Sequence, residues 1–279
     1  LLALMQDQLA FLARHGIAAA SIDSSQSREE AARVMEGVQR GEIRILMISV
    51  ERLKNERFRA FIARVPISLL VVDEAHCLSE WGHNFRPDYL KLPDYQRQFG
   101  IPQVLLLTAT ATPRVIKDMR ERFAIAHEDV TTTGFYRPNL DLAVMPVASD
   151  QRARTLVEWL RPRLAEGVSR PTIVYVTLQQ SAERLTAYLT KAGIQAAAYH
   201  AGLPAETRDR VQQDFMGGQV NCIVATIAFG MGIDKADIRQ VVHFDLPKSI
   251  ENYSQEIGRA GRDGKHSECL VLGGRDTLN

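Results

Sequence analysis

Two adjacent carboxylates follow an apolar run early in the chain: Ser68–Val72 leads directly into Asp73 and Glu74, with His76 close behind. A buried strand that ends in this way places both acids at the carboxyl edge of a parallel sheet, where α/β proteins bind ligands. There the first acid can hold Mg²⁺ through water, and the second can position or deprotonate a water that attacks a phosphate. The alternative is a pair of solvated acids that cap the next helix. The preceding strand and His76 favour the catalytic interpretation.

An aromatic and basic cluster comes next, formed by Trp81, His83, Phe85 and Arg86. The bases of single-stranded nucleic acid stack on such rings, and an arginine can meet a phosphate or the face of a base. Composition alone leaves a second interpretation open, in which the aromatic side chains fill a small core beneath a loop.

Two further apolar runs end in small or hydroxyl-bearing residues. Thr108 and Thr110 follow the first, although threonines at such a place are usually turn and cap residues. Thr226 ends the second, ahead of a loop with Gly232 and Asp234. Glycine permits close backbone approach there, but the glycines alone do not exclude an ordinary strand-to-helix loop.

Two arginines near the end of the chain, Arg259 and Arg262, are three positions apart and follow Gln255. Such a pair can neutralise charge on a transferred phosphoryl group, a contribution worth roughly 10³–10⁵ in rate in well-studied NTPases. On spacing alone, a basic surface turn would be the better interpretation.

These segments together resemble, in the same order, the motifs of the RecQ family of DNA helicases. The match of 73–89 to the family's extended motif II and aromatic-rich loop is almost residue for residue, except that Asn84 stands where the family usually has an acid. Weaker similarities are Leu2–Gln8 to the end of motif Ia, and Ser49–Leu53 to motif Ib, where Val50 replaces the usual proline. The other matches are Leu107–Ala111 to motif III, Val224–Lys235 to motif V and Gln255–Gly264 to motif VI.

The resemblance implies an ATP-dependent DNA helicase that uses ATP and Mg²⁺, with ATP bound between two lobes. It implies that Arg262 is the arginine finger and that Asp73 holds the metal through water. The implied roles are: catalysis by Asp73, Glu74, Gln255, Arg259 and Arg262; nucleotide binding by Asp73, Glu74, Gly232, Asp234, Arg259 and Arg262; coupling by His76, Thr108 and Thr110; and nucleic-acid binding by Trp81, His83, Phe85, Arg86, Thr177, His200 and Thr226.

The expected substrates are single-stranded and forked DNA, unwound 3′→5′, in DNA repair and recombination. Two alternatives stay open: an RNA helicase of the same superfamily, and a non-catalytic nucleic-acid-binding protein. Thr108-Ala109-Thr110 and the aromatic loop favour DNA.

The elements that must position these residues are predicted from short apolar runs separated by helical patterns, which are typical of parallel strands buried in α/β layers. Ser27 and Glu30 form a capping box ahead of a helix over Arg28–Gln39. Thr112 caps a second helix that runs to about Phe123. A third helix begins near Arg152 and is ended or kinked by Pro162. The predicted strands are Ile43–Val50, Ile67–Val72, Gln103–Thr108, Thr172–Thr177, Asn221–Thr226, Gln240–Phe244 and Glu268–Leu272.

The stretch Thr131–Asp150 shows no clear helix or strand pattern, and we place a domain junction within it, near Gly134. The predicted fold is α/β, with two tandem RecA-like lobes at 1–133 and 134–279. No G-x-x-x-x-G-K-[S/T] phosphate loop occurs in the sequence. We therefore expect the first lobe to be N-terminally truncated, the loop to lie upstream of Leu1, and the chain alone to hydrolyse little ATP.

Composition adds limits. Thirty-four basic and 33 acidic residues leave a net charge of +1, which argues neither for nor against nucleic acid. Cys77, Cys222 and Cys269 are isolated, so they predict neither a zinc site nor a disulfide framework, but reduced buried thiols in a cytoplasmic or nucleoid-associated protein. No apolar stretch reaches the length of a membrane span.

Overall fold

The computed structural model describes residues 2–23, 25–82, 84–165, 167–229 and 233–273. The chain divides into two compact units, Leu1–Thr133 and Gly134–Asn279. Across the described ranges, every helix is too short or too polar to cross a membrane.

The first unit contains two separately hydrogen-bonded pairs of parallel strands, β1 with β2 and β3 with β4. Short 3₁₀ turns at Val50–Lys54, Ala75–Leu78, Pro87–Lys91 and His127–Asp129 connect its elements. Its strands are β1 Ala19–Ile22, β2 Ile45–Ile48, β3 Leu69–Val72 and β4 Gln103–Leu106, and its helices are α1 Leu2–Arg14, α2 Arg28–Gln39, α3 Glu56–Ile62, α4 Leu92–Gln98 and α5 Pro113–Phe123.

The predicted helix starts are confirmed. The Ser27 hydroxyl accepts from the Glu30 backbone N–H at 3.2 Å, and the Glu30 carboxylate accepts from the Ser27 N–H at 2.7 Å. The Thr112 hydroxyl accepts from the Val115 N–H at 3.4 Å at the start of α5. Each cap satisfies backbone donors that have no partner inside the helix.

Burial in the first unit differs from the prediction that its strands are covered on both faces. Leu69 and Val71 are 43% and 49% exposed on β3, and Leu105 is 44% exposed on β4. Because successive side chains of a strand point to opposite faces, Leu70 and Leu106 pack on the core while their neighbours do not. The described helices of this unit therefore cover one face of the β3–β4 pair.

The second unit is built on one parallel sheet of six strands in the order β5-β10-β9-β6-β8-β7. Every residue of the central strands β6, β8 and β9 is buried, as the apolar runs predicted. Its strands are β5 Leu140–Pro146, β6 Thr172–Tyr175, β7 Ala197–Tyr199, β8 Cys222–Ala225, β9 Gln240–His243 and β10 Ser267–Gly273, and its helices are α6 Arg152–Leu160, α7 Gln179–Lys191, α8 Ala205–Met216 and α9 Ile250–Ile257.

The structure shows a strand that was not predicted, β5, within Thr131–Asp150, the stretch in which the sequence has no clear pattern. β5 is an edge strand whose side chains are largely exposed, with Leu142 at 55% and Val144 at 71%. Backbone pairing with β10 along seven residues holds it in place. Leu140 and Met145 also pack on the core, but the long main-chain pairing gives no apolar pattern in the sequence.

The three cysteines are free and buried, as predicted. Burial raises the pKa of Cys77 to about 11, and those of Cys222 and Cys269 to about 12. A thiol with so high a pKa is almost wholly protonated at neutral pH, so these cysteines are packing groups and not nucleophiles.

Candidate functional site

The acidic pair lies where β3 ends, and both Asp73 and Glu74 are exposed. Glu74 has a φ of 52°, in the left-handed region that glutamate rarely adopts. Its backbone N–H donates to Asp73 Oδ1 at 2.9 Å, and the next N–H, of Ala75, donates to the Leu107 carbonyl at 2.9 Å. A strained residue of this kind persists only where its surroundings fix it, and such residues cluster at functional sites.

A buried histidine joins the acidic pair to the threonine segment. His76 is 2% exposed, and its Nδ1 lies 3.3 Å from Glu74 Oε2 and 2.8 Å from Thr108 Oγ1. The Thr108 hydroxyl donates to the Thr110 carbonyl at 3.1 Å, which leaves its oxygen to accept from an Nδ1–H of His76. The structure thus brings together the five residues predicted for catalysis and coupling in the first unit.

The aromatic loop after His76 begins with an exposed tryptophan. Trp81 is 57% exposed, and the guanidinium of Arg114, in the first turn of α5, lies 3.2 Å from its ring centroid. At Gly82, a Cβ atom would lie 2.6 Å from the His76 carbonyl oxygen, so only glycine fits there. The loop backbone at Gly82 therefore packs against the His76 carbonyl, and Arg114 covers one face of Trp81.

The loop's arginine is also paired within the unit. Arg86 forms an ion pair with Glu51, which belongs to the 3₁₀ turn Val50–Lys54, and its guanidinium lies 5.6 Å from the ring of Tyr89. Both charged side chains of the pair are 41% exposed. Arg86 is accordingly held against the segment that resembles motif Ib.

Three further residues of the aromatic loop are His83, Asn84 and Phe85. Phe85 is half-buried. Asn84, which departs from the usual acid of the family, has a φ of 58°, a conformation that asparagine tolerates better than most residues. His83 lies outside the described residues.

In the second unit, the predicted DNA contacts follow three adjacent strands at the carboxyl edge of the sheet. Thr177 follows β6 and is exposed, and its N–H and hydroxyl donate to Asp245 Oδ2 at 2.9 and 3.2 Å. Thr226 follows β8 and is 8% exposed. His200 follows β7, is 4% exposed and places Nε2 3.1 Å from Glu183 Oε1, the packed arrangement that its type alone favours.

The predicted arginines lie in the turn after α9, which ends at Ile257. Arg262 is exposed, with Nη1 3.0 Å from Asp234 Oδ1 and Nε donating to the Gly258 carbonyl at 3.4 Å. Arg259 and Gln255 are half-buried. Gly232, predicted beside Asp234, lies outside the described residues.

A buried polar cluster behind Arg259 was not predicted. Burial raises the pKa of Tyr175 to about 12, while the charge of Arg259 and a hydrogen bond with its side chain act in the opposite direction. The Tyr175 hydroxyl donates to the Phe229 carbonyl at 3.3 Å, and its ring stacks on His243 with centroids 5.5 Å apart. His243 Nε2 in turn lies 2.6 Å from Glu256 Oε2. One available signal was the presence of two polar residues, Gln240 and His243, in the buried strand β9.

The first-unit acids have donors that suit Mg²⁺. This ion prefers oxygen ligands and usually keeps several waters, binding through one or two carboxylates and substrate phosphates. Within the described residues, no group of three or more His, Cys, Asp or Glu side chains forms a protein cage for a metal. Asp73 is exposed and has oxygen donors, so it fits a magnesium ion held through water and phosphate.

Two protein-family models match the chain. The DEAD/DEAH box helicase family matches residues 1–119, and the helicase conserved C-terminal domain matches residues 152–264. The first match contains the acidic pair and the aromatic loop, and the second contains the arginine turn.

Curated relatives are similar along almost the whole chain. The ATP-dependent DNA helicase RecQ of Bacillus subtilis (strain 168) is 39% identical over 98% of this chain and 45% of its own length. The probable ATP-dependent DNA helicase RecS of the same organism is 41% identical over 98% of this chain and 54% of its own length. The RecQ helicase of Haemophilus influenzae is 37% identical, over 98% and 43% respectively. The chain thus spans about half the length of these relatives.

Solved structures share the fold. S. cerevisiae Dbp5 bound to RNA and ADP BeF3 has a TM-score of 0.66 at 19% identity, over 94% of this chain and 73% of that one. Mycobacterium smegmatis helicase Lhr bound to ssDNA and AMP-PNP has a TM-score of 0.68 at 21% identity, over 96% and 37%. The fold is two tandem RecA-like helicase domains, and the chain is similar to RecQ helicases along 98% of its own length.

Proposed function

We propose that the protein is an ATP-dependent DNA helicase that couples ATP hydrolysis to movement along single-stranded DNA. Residues 1–133 form its first lobe and residues 134–279 its second. The observation that carries the proposal is the His76 contact, which joins Glu74, on its left-handed backbone, to the Thr108–Thr110 segment. It occurs in a chain whose relatives are named DNA helicases.

Hydrolysis in this proposal requires a general base and a positively charged group that neutralises negative charge on the transferred phosphoryl group. Glu74 takes a proton from the attacking water, whose oxygen bonds to the γ-phosphorus while the bond to the β,γ-bridging oxygen breaks. Asp73 holds Mg²⁺ through water, and the ion, when bound, neutralises charge on the triphosphate. Arg262 neutralises the charge that develops on the transferred group, and Arg259 lies beside the phosphates.

The remaining second-unit residues serve binding. Gln255 and Asp234 orient the groups around the nucleotide, with Asp234 holding the Arg262 guanidinium at 3.0 Å. Gly232 belongs to the same loop by resemblance. Thr177, His200 and Thr226 contribute to holding the DNA backbone from the carboxyl edge of the second sheet.

DNA sensing falls to the aromatic loop. Trp81 is exposed and stacks on a base, which competes with Arg114 for the same ring face. Arg86 exchanges Glu51 for a phosphate or a base, and His83 and Phe85 support the bound strand. Because the Gly82 backbone packs on the His76 carbonyl and His76 contacts Glu74, a change in the loop reaches the acidic pair through His76. From the family resemblance we also propose 3′→5′ unwinding of forked DNA, in repair and recombination, in the bacterial cytoplasm and nucleoid.

Comparing polymers tests this proposal. ATP hydrolysis by the full gene-encoded protein is measured with single-stranded DNA and with RNA of the same sequence. DNA is expected to stimulate hydrolysis more strongly than RNA. Stronger stimulation by RNA would support an RNA helicase instead, and binding of either polymer without hydrolysis would support a non-catalytic binding protein.

Replacing Trp81 with alanine is expected to weaken single-stranded DNA binding and to lower DNA stimulation more than the DNA-free rate. Loss of one base stack costs about 1–3 kcal/mol, which corresponds to about 5- to 150-fold in affinity. Trp81→Phe keeps an aromatic face and should retain most of the affinity. A stimulation ratio equal to that of the wild type in Trp81→Ala would show that the loop only packs.

A further inference from the structure

The turn that carries Arg262 is held by side chains from a distant part of the chain. Arg137 Nη2 donates to the carbonyl oxygens of Ala260 and Gly261, each at 2.9 Å. Asn139 Nδ2 donates to the carbonyl oxygens of Gly261 and Lys265 at 2.8 and 3.0 Å. Four hydrogen bonds from two side chains thus fix three carbonyl groups on the two sides of Arg262, those of Ala260, Gly261 and Lys265.

Asn139 lies so close to the turn that position 261 must be glycine. Gly261 has a φ of 53°, and a Cβ atom there would lie 2.5 Å from Asn139 Nδ2, 2.7 Å from the Lys265 carbonyl oxygen and 2.7 Å from Ser267 Oγ. Any other residue would push Asn139 away. The glycine between the two arginines therefore serves the fit of Asn139 against the turn.

A backbone hydrogen bond and a second arginine, Arg239, also hold the turn and its surroundings in place. The Ser267 N–H donates to the Asn139 carbonyl at 2.9 Å, which fixes the position of Asn139 relative to β10. On the other side, Arg239 Nη2 lies 2.5 Å from Asp263 Oδ2. The Arg262 side chain itself stays exposed, so its backbone is fixed while its guanidinium remains accessible.

We propose that Arg137 and Asn139 are positioning residues for Arg262, acting through the carbonyl groups of the turn and not by contact with the nucleotide. The inference rests on the proposed function, because it assigns a role relative to the arginine finger. Charge-assisted bonds from a guanidinium to carbonyls are short and directional, which suits a device that sets an angle. Both residues lie just after Gly134, where the second unit begins.

Asn139→Asp tests this with little change of shape, because it replaces the N–H donor by a carboxylate oxygen that would face two carbonyl oxygens. In the full gene-encoded protein, we expect kcat for ATP hydrolysis to fall at least about tenfold, since a misplacement of about 1 Å can cost about 100-fold. The KM for ATP should change less than kcat. Arg137→Lys keeps the charge but loses the planar guanidinium, and we expect it to lower kcat as well.

A matched control is available in the first unit, where Arg59 Nη1 also donates to two consecutive carbonyl oxygens, those of Leu53 and Lys54, at 2.7 and 3.0 Å. Arg59→Lys should leave the DNA-free kcat unchanged. Thermal unfolding of each variant shows whether it folds. If Asn139→Asp does not fold, Arg137→Lys still tests the proposal.

A double variant separates positioning from general structure. In an Arg262→Ala background, Asn139→Asp should lower kcat little further, because residues that act through one group are not additive. An equal loss in both backgrounds, or wild-type kcat in Asn139→Asp and Arg137→Lys, overturns the positioning role. Wild-type kcat in Arg262→Ala alone would instead refute the finger assignment on which the inference rests.

Discussion

Arg262→Ala is expected to lower kcat for DNA-stimulated ATP hydrolysis by roughly 10³–10⁵, the range found for removal of an arginine finger. The guanidinium neutralises charge that develops on the transferred phosphoryl group, so the loss should fall on kcat and less on the KM for ATP. The variant also removes the contact with Asp234, but that pair is exposed and such pairs contribute about 0–1 kcal/mol to stability. Its melting temperature should therefore stay near that of the wild type.

Two controls define this result. Arg262→Lys keeps the charge but not the planar fork, and it should restore little activity. Arg154→Ala removes an exposed ion pair of the same kind, with Glu158 at 2.9 Å in the same unit, and it should leave kcat unchanged. If Arg262→Ala turns over ATP at the wild-type rate, Arg262 is only a residue of a surface turn.

Glu74→Gln is expected to lower kcat by roughly 10²–10⁴, the usual contribution of a general base, while nucleotide binding is retained. Glutamine has nearly the same size, and its amide oxygen can still accept a hydrogen bond from His76. The change therefore removes the basic oxygen with little other disturbance. Steady-state hydrolysis and equilibrium binding of a fluorescent ATP analogue measure the two effects separately.

The matched control is Glu121→Gln on α5, where the exposed carboxylate pairs with Lys117 at 3.7 Å. It changes the same functional group in the same unit and should leave both measurements unaltered. Normal hydrolysis in Glu74→Gln would refute the assignment of the base. Loss of nucleotide binding would give Glu74 a binding role instead.

Elements with strong local signals could be predicted from the sequence. α2 and α5 begin at the predicted caps because a side-chain oxygen beside unpaired N–H groups is a local arrangement. Strands β6, β8 and β9 could be predicted from continuous apolar runs because both of their faces are buried. Strand β5 could not, because most of its side chains face outward and main-chain bonds to β10 hold it.

The candidate site divides in a similar way. Asp73 and Glu74 were predictable because an apolar run that forms β3 ends directly before them, which fixes their place at a sheet edge. Arg114 over Trp81, and Arg137 with Asn139 on the arginine turn, were not predicted. Arg137 and Gly261 are 124 positions apart, and a polar contact over such a separation leaves no periodic pattern.

The most direct test is a structure of the full gene-encoded protein with Mg²⁺, ADP and aluminium fluoride, which mimics the transferred phosphoryl group. We expect the Glu74 carboxylate to contact the water opposite the leaving oxygen. We also expect the Arg262 guanidinium to lie about 3 Å from the aluminium fluoride group, at hydrogen-bond distance. A complex in which either side chain points away from that group, with the nucleotide fully bound, would contradict the claim that both act on one triphosphate.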